Sequence, residues 1–401
     1  MSEQRSDTAR QIADLLRTAR GSLGLSLAFL SRMDGVTQHL EVVESDHPHL
    51  VGDGFTQPQA TSFCQAIIDG RLPSVVPDVG DFPVALDLPA VQGHGIRSFV
   101  SVPVVLSDGS VYGTFCAAEF AADPDLADRD RTLLEVLARA AAMLIEPDVR
   151  KDRRNAEIAD RLGPVIDRGG PVVLLQPIVD LATGRRIGAE ALSRFPQQWN
   201  QAPDLVFADA TLIGQRERLE IQALQQAVAH VPYTTGYIAM NVSPATLATQ
   251  ACQDVLSRMP LERVVLELSE HDRIDDYDAL RATLAPLRAR GMRLAIDDVG
   301  AGFSSLRHIV TTAPDVIKLD RSLVAGVAHD AVLAVLTRAL VELAEAIGAQ
   351  VVAEGIETAT DAATLAELGV HLGQGWHFDR ATTPQELRDS YHLAALENAG
   401  R

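Results

Sequence analysis

Residues 294–303 read Leu-Ala-Ile-Asp-Asp-Val-Gly-Ala-Gly-Phe, an apolar run followed by two adjacent carboxylates and a glycine-rich turn. The run is typical of a buried strand, and glycines permit a tight turn whose backbone lies close to a ligand. Adjacent side chains on a strand point to opposite faces, so Asp297 and Asp298 would ordinarily diverge, and most such pairs are solvated turns. If the chain bends between them, the carboxylates converge, and a shared metal ion would offset their repulsion.

The same pattern recurs from Pro171 onwards, where short apolar runs each end in a polar or charged residue. The residues at these ends are Gln176, Glu190, Asn241, Glu267, Asp297, Asp298, Lys318, Glu354 and Gln374. Helix-like segments, over 208–230, 277–290, 330–347 and 359–368, separate many of the runs. Strands alternating with helices predict a mainly parallel sheet, and about eight such units fit a TIM-like (β/α)8 barrel. In that fold the active site lies at the carboxyl ends of the strands, where these polar residues fall.

The side chains of this set indicate a kind of chemistry. Carboxylate and amide oxygens favour magnesium or manganese over zinc or copper, and so many converging carboxylates could not all stay ionised without cations. Two metal ions about 3.5–4 Å apart, bridged by one carboxylate, would relieve the repulsion and activate water for attack on phosphorus. Lys318 would orient that water or stabilise a developing oxyanion. The residues therefore predict metal-dependent phosphodiester hydrolysis.

The motifs of this half of the chain, taken in order, resemble the EAL-domain family. They are Gln176-Pro177-Ile178, Glu190-Ala191-Leu192-Ser193-Arg194, Asn241-Val242-Ser243-Pro244, Glu267-Leu268-Ser269-Glu270, the run 297–306, Ile317-Lys318-Leu319-Asp320, Glu354-Gly355-Ile356-Glu357 and Gln374-Gly375. The resemblance covers roughly residues 160–396. It implies a TIM-like barrel with one strand reversed, hydrolysis of cyclic di-GMP to linear pGpG with magnesium or manganese, and a homodimer.

The resemblance also implies a role for each matching residue. Glu190, Asn241, Glu267 and Asp297 would bind the first metal ion, and Asp297 would bridge to a second ion that Asp298 also binds. Glu354 would be either a ligand of the second ion or the general base, and Lys318 would position the attacking water. Arg194 would hold a substrate phosphate, Gln176 would reach a guanine edge, and Gln374 would lie near the nucleophile or the substrate. Glu270 would brace the loop after Asp298, and Glu357 would support the turn at Glu354.

The sequence departs from the family pattern in few places. Val299, Ala301 and Phe303 stand in the loop after the aspartates where an aromatic residue, threonine and tyrosine are common, and Ser269 replaces a commoner threonine. Residues 376–380 replace a small segment that usually ends in proline. No predicted ligand is lost. The changed loop could alter coupling across a dimer or the basal rate.

The first 145 residues predict a separate α+β unit. Helices are expected over 6–20, 62–69 and 126–145, and strands over 23–32, 39–44, 95–106 and 109–119, with a hairpin between the last two. Phe63 to Gly70, Val76-Pro77-Asp78, Ile96 to Val104 and Tyr112-Gly113-Thr114 resemble a GAF domain, a module that senses small molecules or dimerises. The resemblance leaves its effector unspecified. We therefore expect a GAF-like sensor that regulates the barrel.

Histidines and cysteines of this unit leave alternatives open. His39, His47, His49 and His94 could include a haem ligand or be ordinary surface residues. Cys64 could be a redox or attachment site or a packed thiol. The chain has three cysteines, too few and too scattered for a disulfide framework or a cysteine zinc site. The simpler interpretation is that they are buried small apolar residues.

A charged segment connects the two halves. The run 150–154, Arg-Lys-Asp-Arg-Arg, interrupts an apolar pattern and predicts a domain boundary with a connecting helix. We therefore expect a GAF-like domain over 1–147, a linker over 148–168 and an EAL domain over 169–401. The linker is either a passive connection or a parallel helix pair that passes a signal in a dimer.

Composition and charge limit the possible partners and the cellular location of the protein. With 47% hydrophobic residues the 401-residue chain can build two or three domains, and no apolar run reaches the length of about 20 residues that spans a bilayer. Residues 1–20 lack the apolar core of a signal peptide, so a cytoplasmic protein is expected. The formal charge of −19 argues against a nucleic-acid polymer as partner.

Three functions compete for these observations. An active cyclic di-GMP phosphodiesterase accounts for the complete set of acids, amides and lysine. A receptor that binds cyclic di-GMP without turnover and signals to a protein partner is the alternative, although receptors of this type usually lack several metal ligands. A TIM barrel of another metal-dependent class would have to reproduce each motif by accident.

Overall fold

A computed structural model of the protein describes residues 2–47, 49–300 and 305–390. The chain forms two compact units, Met1–Arg154 and Asn155–Arg401. Within the described residues no helix combines the length and the apolar character needed to cross a membrane.

The first unit is built on an antiparallel sheet of six strands. Its strands are β1 (Leu27–Met33), β2 (Thr37–Ser45), β3 (Thr56–Pro58), β4 (Val75–Val76), β5 (Ser98–Val105) and β6 (Val111–Glu119), in the order β3-β2-β1-β6-β5-β4. The helices are α1 (Ser2–Leu23), α2 (Phe63–Ile68), α3 (Pro83–Leu86), α4 (Pro89–His94) and α5 (Asp128–Asp167). The expected hairpin between β5 and β6 is present. This confirms the predicted α+β class.

Alternation along the strands gives this sheet two buried faces. On β6, Phe115 and Ala117 belong to a core shared with α1 and α5, whereas Cys116 and Ala118 belong to a second core shared with α2 and α3. Both cores are continuous sets of buried apolar side chains. The sheet is therefore covered by helices on each side.

Helix α5 is longer than either segment expected from the sequence. The apolar stretch over 126–145 and the charged segment after it form one helix of 40 residues. Arginine and lysine have good helix propensity, so the charged run interrupts the apolar stripe without ending the helix. The division between the two compact units falls within α5. The limits predicted at residues 147 and 168 stay predictions.

The second unit is a closed eight-stranded barrel. Its strands are β7 (Val172–Asp180), β8 (Arg186–Arg194), β9 (Tyr237–Asn241), β10 (Val264–Ser269), β11 (Arg293–Val299), β12 (Val316–Leu319), β13 (Gln350–Ala353) and β14 (Leu372–Gly373). The helices are α6 (Pro203–Leu212), α7 (Arg216–Val228), α8 (Pro244–Leu247), α9 (Gln250–Leu256), α10 (Tyr277–Arg288), α11 (Ser305–Thr312), α12 (Arg321–Val324), α13 (Ala331–Ile347) and α14 (Ala359–Glu367). Strand β7 is antiparallel to both of its neighbours, β8 and β14, whereas the other neighbouring strands are parallel. The predicted barrel with one reversed strand is confirmed.

One helix prediction in this unit is wrong. The segment 208–230 was expected to form a single helix, but it holds the end of α6 and all of α7. Gly214 lies between them with φ of 68°, a left-handed conformation that glycine adopts without strain and that ends a helix.

Candidate functional site

The barrel interior explains why the polar residues converge at one end. Small or branched apolar side chains fill the interior, among them Ala239 on β9, Val265 on β10, Ala295 on β11, Val316 on β12, Val352 on β13 and Leu372 on β14. Each predicted site residue on these strands comes two positions later, and positions i and i+2 on a strand share a face. The residues two positions later are Asn241, Glu267, Asp297, Lys318, Glu354 and Gln374. They therefore form the next layer at the carboxyl end of the barrel, in which Asn241 is exposed and Glu354 is half-buried.

Two overlapping sets of carboxylates lie in this layer. The first carboxylate group consists of Glu190, Glu267 and Asp297, and the second consists of Asp297, Asp298 and Glu354. Within each group, one oxygen from every residue lies within 4.8 Å of the others. Asp297 belongs to both groups. The donors are all hard oxygens, a set that fits magnesium or manganese.

Asp298 joins the second group because the backbone bends at this residue. Its φ is 60°, and the pairing of β11 with β12 shifts register between Ile296 and Val299. A residue in this left-handed conformation does not continue the alternation of the strand, so its side chain need not point away from that of Asp297. The bend expected between the two aspartates is therefore present.

Lys318 lies between the carboxylates and is 1% exposed. Its Nζ is 2.6 Å from Glu354, 2.9 Å from Glu267 and 3.0 Å from Asp297, each measured to a carboxylate oxygen. Glu190 is more distant, at 3.5 Å. Four carboxylates around one ammonium leave an excess of negative charge in a water-poor environment.

This excess of charge is reflected in the protonation of the cluster. Burial, together with neighbouring Glu190 and Asp297, raises the pKa of Glu267 well above its ordinary value despite the attraction of Lys318. Burial and Asp297 also raise the pKa of Glu354. Burial would lower the pKa of Lys318, but the surrounding carboxylates outweigh it and raise the pKa. Lys318 thus keeps its proton, and additional cations would be needed to ionise every acid.

Amide side chains border the carboxylates. Asn241 Nδ2 lies 3.2 Å from Glu267 Oε2 and 3.4 Å from Glu190 Oε1. Gln374 Nε2 donates to Glu190 Oε2 at 2.6 Å and to Gln176 Oε1 at 3.0 Å. Gln374 therefore joins Gln176 to the first carboxylate group.

Two cavities border the cluster. One of about 410 Å³ is lined by Arg194, Asn241, Glu267 and Asp298 among others. A second of about 330 Å³ is lined by Gln176, Glu354, Gln374, Trp376, Asp297 and Asp298 among others. Asp298 lines both, so the acidic cluster borders two spaces that could each take part of one ligand.

The two predicted supporting glutamates differ in their surroundings. Glu270 is 1% exposed, and its Oε2 accepts a hydrogen bond from the Gly300 amide at 3.4 Å. Its own amide donates to the Asp297 carbonyl at 3.0 Å. Glu357 is exposed and pairs with Arg321 at 2.9 Å. Glu270 thus contacts the backbone on both sides of Asp298, whereas Ala301 and Phe303 of the same loop lie outside the described residues.

Two residues near Glu270 were not predicted from the sequence. His308 is 5% exposed, and its Nε2 lies 3.1 Å from the Glu270 carbonyl. Its Nδ1 lies 2.9 Å from the Tyr277 hydroxyl. The sequence offers one signal for His308, a polar residue among the apolar positions of α11, but it does not indicate a contact 38 residues away.

Two family models match the chain. The EAL domain model matches residues 159–381, and the GAF domain model matches residues 4–145. An uncharacterized protein of Mycobacterium tuberculosis strain H37Rv is 32% identical over 63% of this chain and 90% of its own length. The probable cyclic di-GMP phosphodiesterase PdeB of Escherichia coli K12 is 30% identical over 63% of this chain and 50% of its own.

A solved structure supports the assignment of the barrel. The PaMucR phosphodiesterase in complex with c-di-GMP matches with a TM-score of 0.52 and 27% identity, over 58% of this chain and 99% of that one. The family model covers more than half of the present chain. The chain belongs to the EAL-domain family and carries an N-terminal GAF domain.

Proposed function

We propose that the protein is a magnesium- or manganese-dependent phosphodiesterase that hydrolyses cyclic di-GMP to linear pGpG. The observation that carries the proposal is the pair of carboxylate groups that share Asp297 beside buried Lys318. Similarity to PdeB, whose name states this activity, supports the choice of substrate. The chain spans about half the length of PdeB. The activity stated in the name of PdeB is therefore carried over to this protein only as a proposal.

The donor set fits two divalent cations. The first carboxylate group, with Asn241 beside it, would hold one ion, and the second group would hold the other, so that Asp297 is a ligand of both. When bound, such a pair of ions supplies Lewis acidity at a phosphoryl oxygen and lowers the pKa of water. Glu354, as a member of the second group, would be a ligand of the second ion or the general base.

The chain's own residues bind and orient the substrate. Lys318 retains its proton, so it acts as a cation and hydrogen-bond donor that orients the attacking water. The Arg194 guanidinium lines the larger cavity and can hold a substrate phosphate through two N–H groups. Gln176 and Gln374 line the other cavity, where Gln176 would reach a guanine edge and Gln374 would lie near the nucleophile or the substrate. Cyclic di-GMP has two guanines, and the two cavities beside the cluster would each take one.

The proposal extends to regulation and assembly. The GAF domain sets the rate of the barrel, with residues 148–168 as the connection between domains over 1–147 and 169–401.

A homodimer is supported by exposed apolar side chains at helical spacing on α13, where Val332 is 75% and Val335 is 70% exposed. Light scattering of the full chain and of Val335→Asp tests this interface: a dimer that dissociates in the variant is expected, and a monomeric wild type contradicts it.

The activity is tested by chromatography of cyclic di-GMP after incubation with the full chain and Mn²⁺. We expect pGpG to appear, and to be absent with chelator. Glu267→Gln should abolish turnover, and Glu262→Gln is its matched control, because Glu262 is exposed near the opposite end of the same strand. Tight binding without turnover would instead support a receptor, and absence of binding would overturn the proposed site.

A further inference from the structure

Two cysteines of the GAF domain lie in contact although 52 residues separate them in the sequence. Cys64 on α2 and Cys116 on β6 have their Sγ atoms 3.4 Å apart. Both are free thiols and are at most 1% exposed. The proposed phosphodiesterase mechanism uses neither of them.

A buried polar cluster surrounds the pair within an otherwise apolar core. Cys116 Sγ lies 3.2 Å from Ser101 Oγ and 3.2 Å from Thr114 Oγ1. Thr114 Oγ1 lies 2.8 Å from Ser31 Oγ, which accepts a hydrogen bond from Gln38 Nε2 at 2.9 Å. Two hydroxyl groups thus lie beside the Cys116 sulfur, and the Ser31 hydroxyl and the Gln38 amide extend this polar network, which packing alone would not require.

The surroundings make the two thiols unequal. Burial would raise the pKa of Cys64, but hydrogen bonds from Cys116, Thr114, Gln38 and Ser101 outweigh it and lower the pKa. Burial and the neighbouring Cys64 raise the pKa of Cys116. Cys64 also lines the cavity beside the pair, so it is the thiol that would meet an oxidant first, and Cys116 is the thiol that would react second.

The space beside Cys64 limits what can reach it. Cys64 lines a cavity of about 30 Å³, whose walls include Phe29, Phe55, Phe63 and Phe99. This volume is about a tenth of the roughly 300 Å³ or more found in pockets for organic ligands, and at least one water-sized molecule fits in it. A nucleotide or a haem does not fit this space, but a molecule with two heavy atoms needs only a small expansion.

We propose that Cys64 and Cys116 form a reversible dithiol–disulfide site whose oxidant is hydrogen peroxide or a peroxide of similar size. The Cys64 thiolate attacks one peroxide oxygen, the O–O bond breaks, and the departing hydroxide takes up a proton to give water. The sulfur of Cys116 then attacks the resulting sulfenic acid as it loses its proton. The S–S bond forms, the S–O bond breaks, and a second water leaves. Two thiols and one peroxide thus give one disulfide and two waters, and a dithiol reductant reverses the oxidation.

The bond requires a modest movement. A disulfide is about 2.05 Å long, so the two sulfurs must approach by roughly 1.4 Å. Helix α2 has six residues, and its Phe63 ring stacks on Phe99 of β5 at 4.8 Å between centroids. Oxidation is therefore expected to draw α2 towards the sheet and to change the environment of these rings.

The site is tested on the full chain by treating it with hydrogen peroxide, removing the excess, and counting free thiols after denaturation. The chain has three cysteines, and we expect the count to fall from three to one. Peptide mapping should then find Cys64 linked to Cys116, with Cys252 still alkylated. Dithiothreitol should restore all three thiols.

Variants make the assignment specific. Cys252→Ser should still form the crosslink, whereas Cys64→Ser and Cys116→Ser should each prevent it, and thermal unfolding checks that each variant is folded. The peptide map of the oxidised wild-type chain shows whether Cys64 is linked to Cys116 even if a GAF-domain variant does not fold. The inference is overturned if Cys64 and Cys116 stay reduced, if either is oxidised beyond sulfenic acid without a crosslink, or if the crosslink joins two chains.

Discussion

The carboxylates of Asp297 and Asp298 converge although the two residues are adjacent on one strand. An oxygen of each lies within 4.8 Å of the other, and Asp298 has φ of 60°. This left-handed conformation costs a residue with a Cβ about 1 kcal/mol or more, although aspartate and asparagine tolerate it better than most. The strain is offset if the convergence serves the binding of a second cation.

Replacing Asp298 by asparagine tests that convergence without changing the backbone preference. Asp298→Asn should bind one Mn²⁺ in place of two, because the second carboxylate group loses a charged ligand. Turnover should fall by at least about a hundredfold, since metal stabilisation of the transition state amounts to several kcal/mol. Isothermal titration with Mn²⁺ and the rate of pGpG formation measure both effects. Unchanged stoichiometry would show that Asp298 is no ligand.

Lys318 is expected to stabilise the metal-free protein. Lys318→Met leaves the surrounding carboxylates without their buried counter-charge, and loss of one partner of a buried ion pair costs about 3–5 kcal/mol. Urea unfolding in the presence of chelator should therefore show a lower midpoint for the variant. Added Mn²⁺ should narrow the gap, because the metal supplies the missing positive charge. Equal midpoints with chelator would show that the Lys318 ammonium does not stabilise the metal-free protein.

Glu267, unlike Lys318, is expected to destabilise the metal-free protein at high pH. Its pKa is raised in the folded state, so the folded protein holds a proton that the unfolded chain releases. The free energy of unfolding should consequently fall as the pH rises from the ordinary carboxyl pKa of 4.5 through the raised value. The free energy of unfolding of metal-free Glu267→Gln should not fall in this way, because glutamine has no proton to release. At pH 8 the variant should therefore unfold at a higher urea concentration than the wild type. The difference should shrink as the pH approaches 5, and a difference independent of pH would contradict the assignment.

The same shift predicts that metal binding releases protons. Glu267 and Glu354 must lose their protons to act as ligands, so Mn²⁺ affinity should increase with pH. Calorimetry at one pH in two buffers with different ionisation enthalpies measures the number of protons released. Glu267→Gln should release fewer protons on Mn²⁺ binding than the wild type. Equal release would show that the protons come from groups other than Glu267.

His308 is expected to position Glu270 and, through it, the backbone at Asp297. The His308 ring bonds the Glu270 carbonyl, and the Glu270 amide bonds the Asp297 carbonyl. His308→Phe should raise the Mn²⁺ concentration for half-maximal activity about 10–100-fold, the usual range for groups that orient metal ligands. High Mn²⁺ should restore much of kcat. Tyr277→Phe removes only the outer hydrogen bond and should have a smaller effect; an equal effect, or none in either variant, contradicts this role.

The sequence predicts the barrel and the positions of its polar residues because both follow from local periodicity. A residue such as Glu267 comes two positions after interior Val265 and therefore shares its face. The direction of β7 carried a local signal that was overlooked, because only residues 181–185 separate β7 from β8, too few for the crossover that parallel neighbours require. The family resemblance implied one reversed strand without indicating which one.

Contacts between distant segments are less accessible to sequence reasoning. The approach of Cys64 to Cys116 depends on where α2 packs on the sheet, and the contact of His308 with Glu270 depends on the packing of α11. Gly214, in contrast, carried a local signal that was overlooked, because a glycine within a helical pattern often ends the helix. Local patterns thus fix elements and faces, whereas tertiary packing decides which side chains meet.

In the proposed site, Asp297 would bind both of two divalent cations at the carboxyl end of the barrel. This arrangement is tested most directly by anomalous diffraction at the manganese edge from crystals of the full chain grown with Mn²⁺. We predict two peaks about 3.5–4 Å apart, one beside Glu190 and Glu267 and the other beside Asp298 and Glu354, with Asp297 touching both. A single peak, or two peaks that do not share Asp297, would contradict the account.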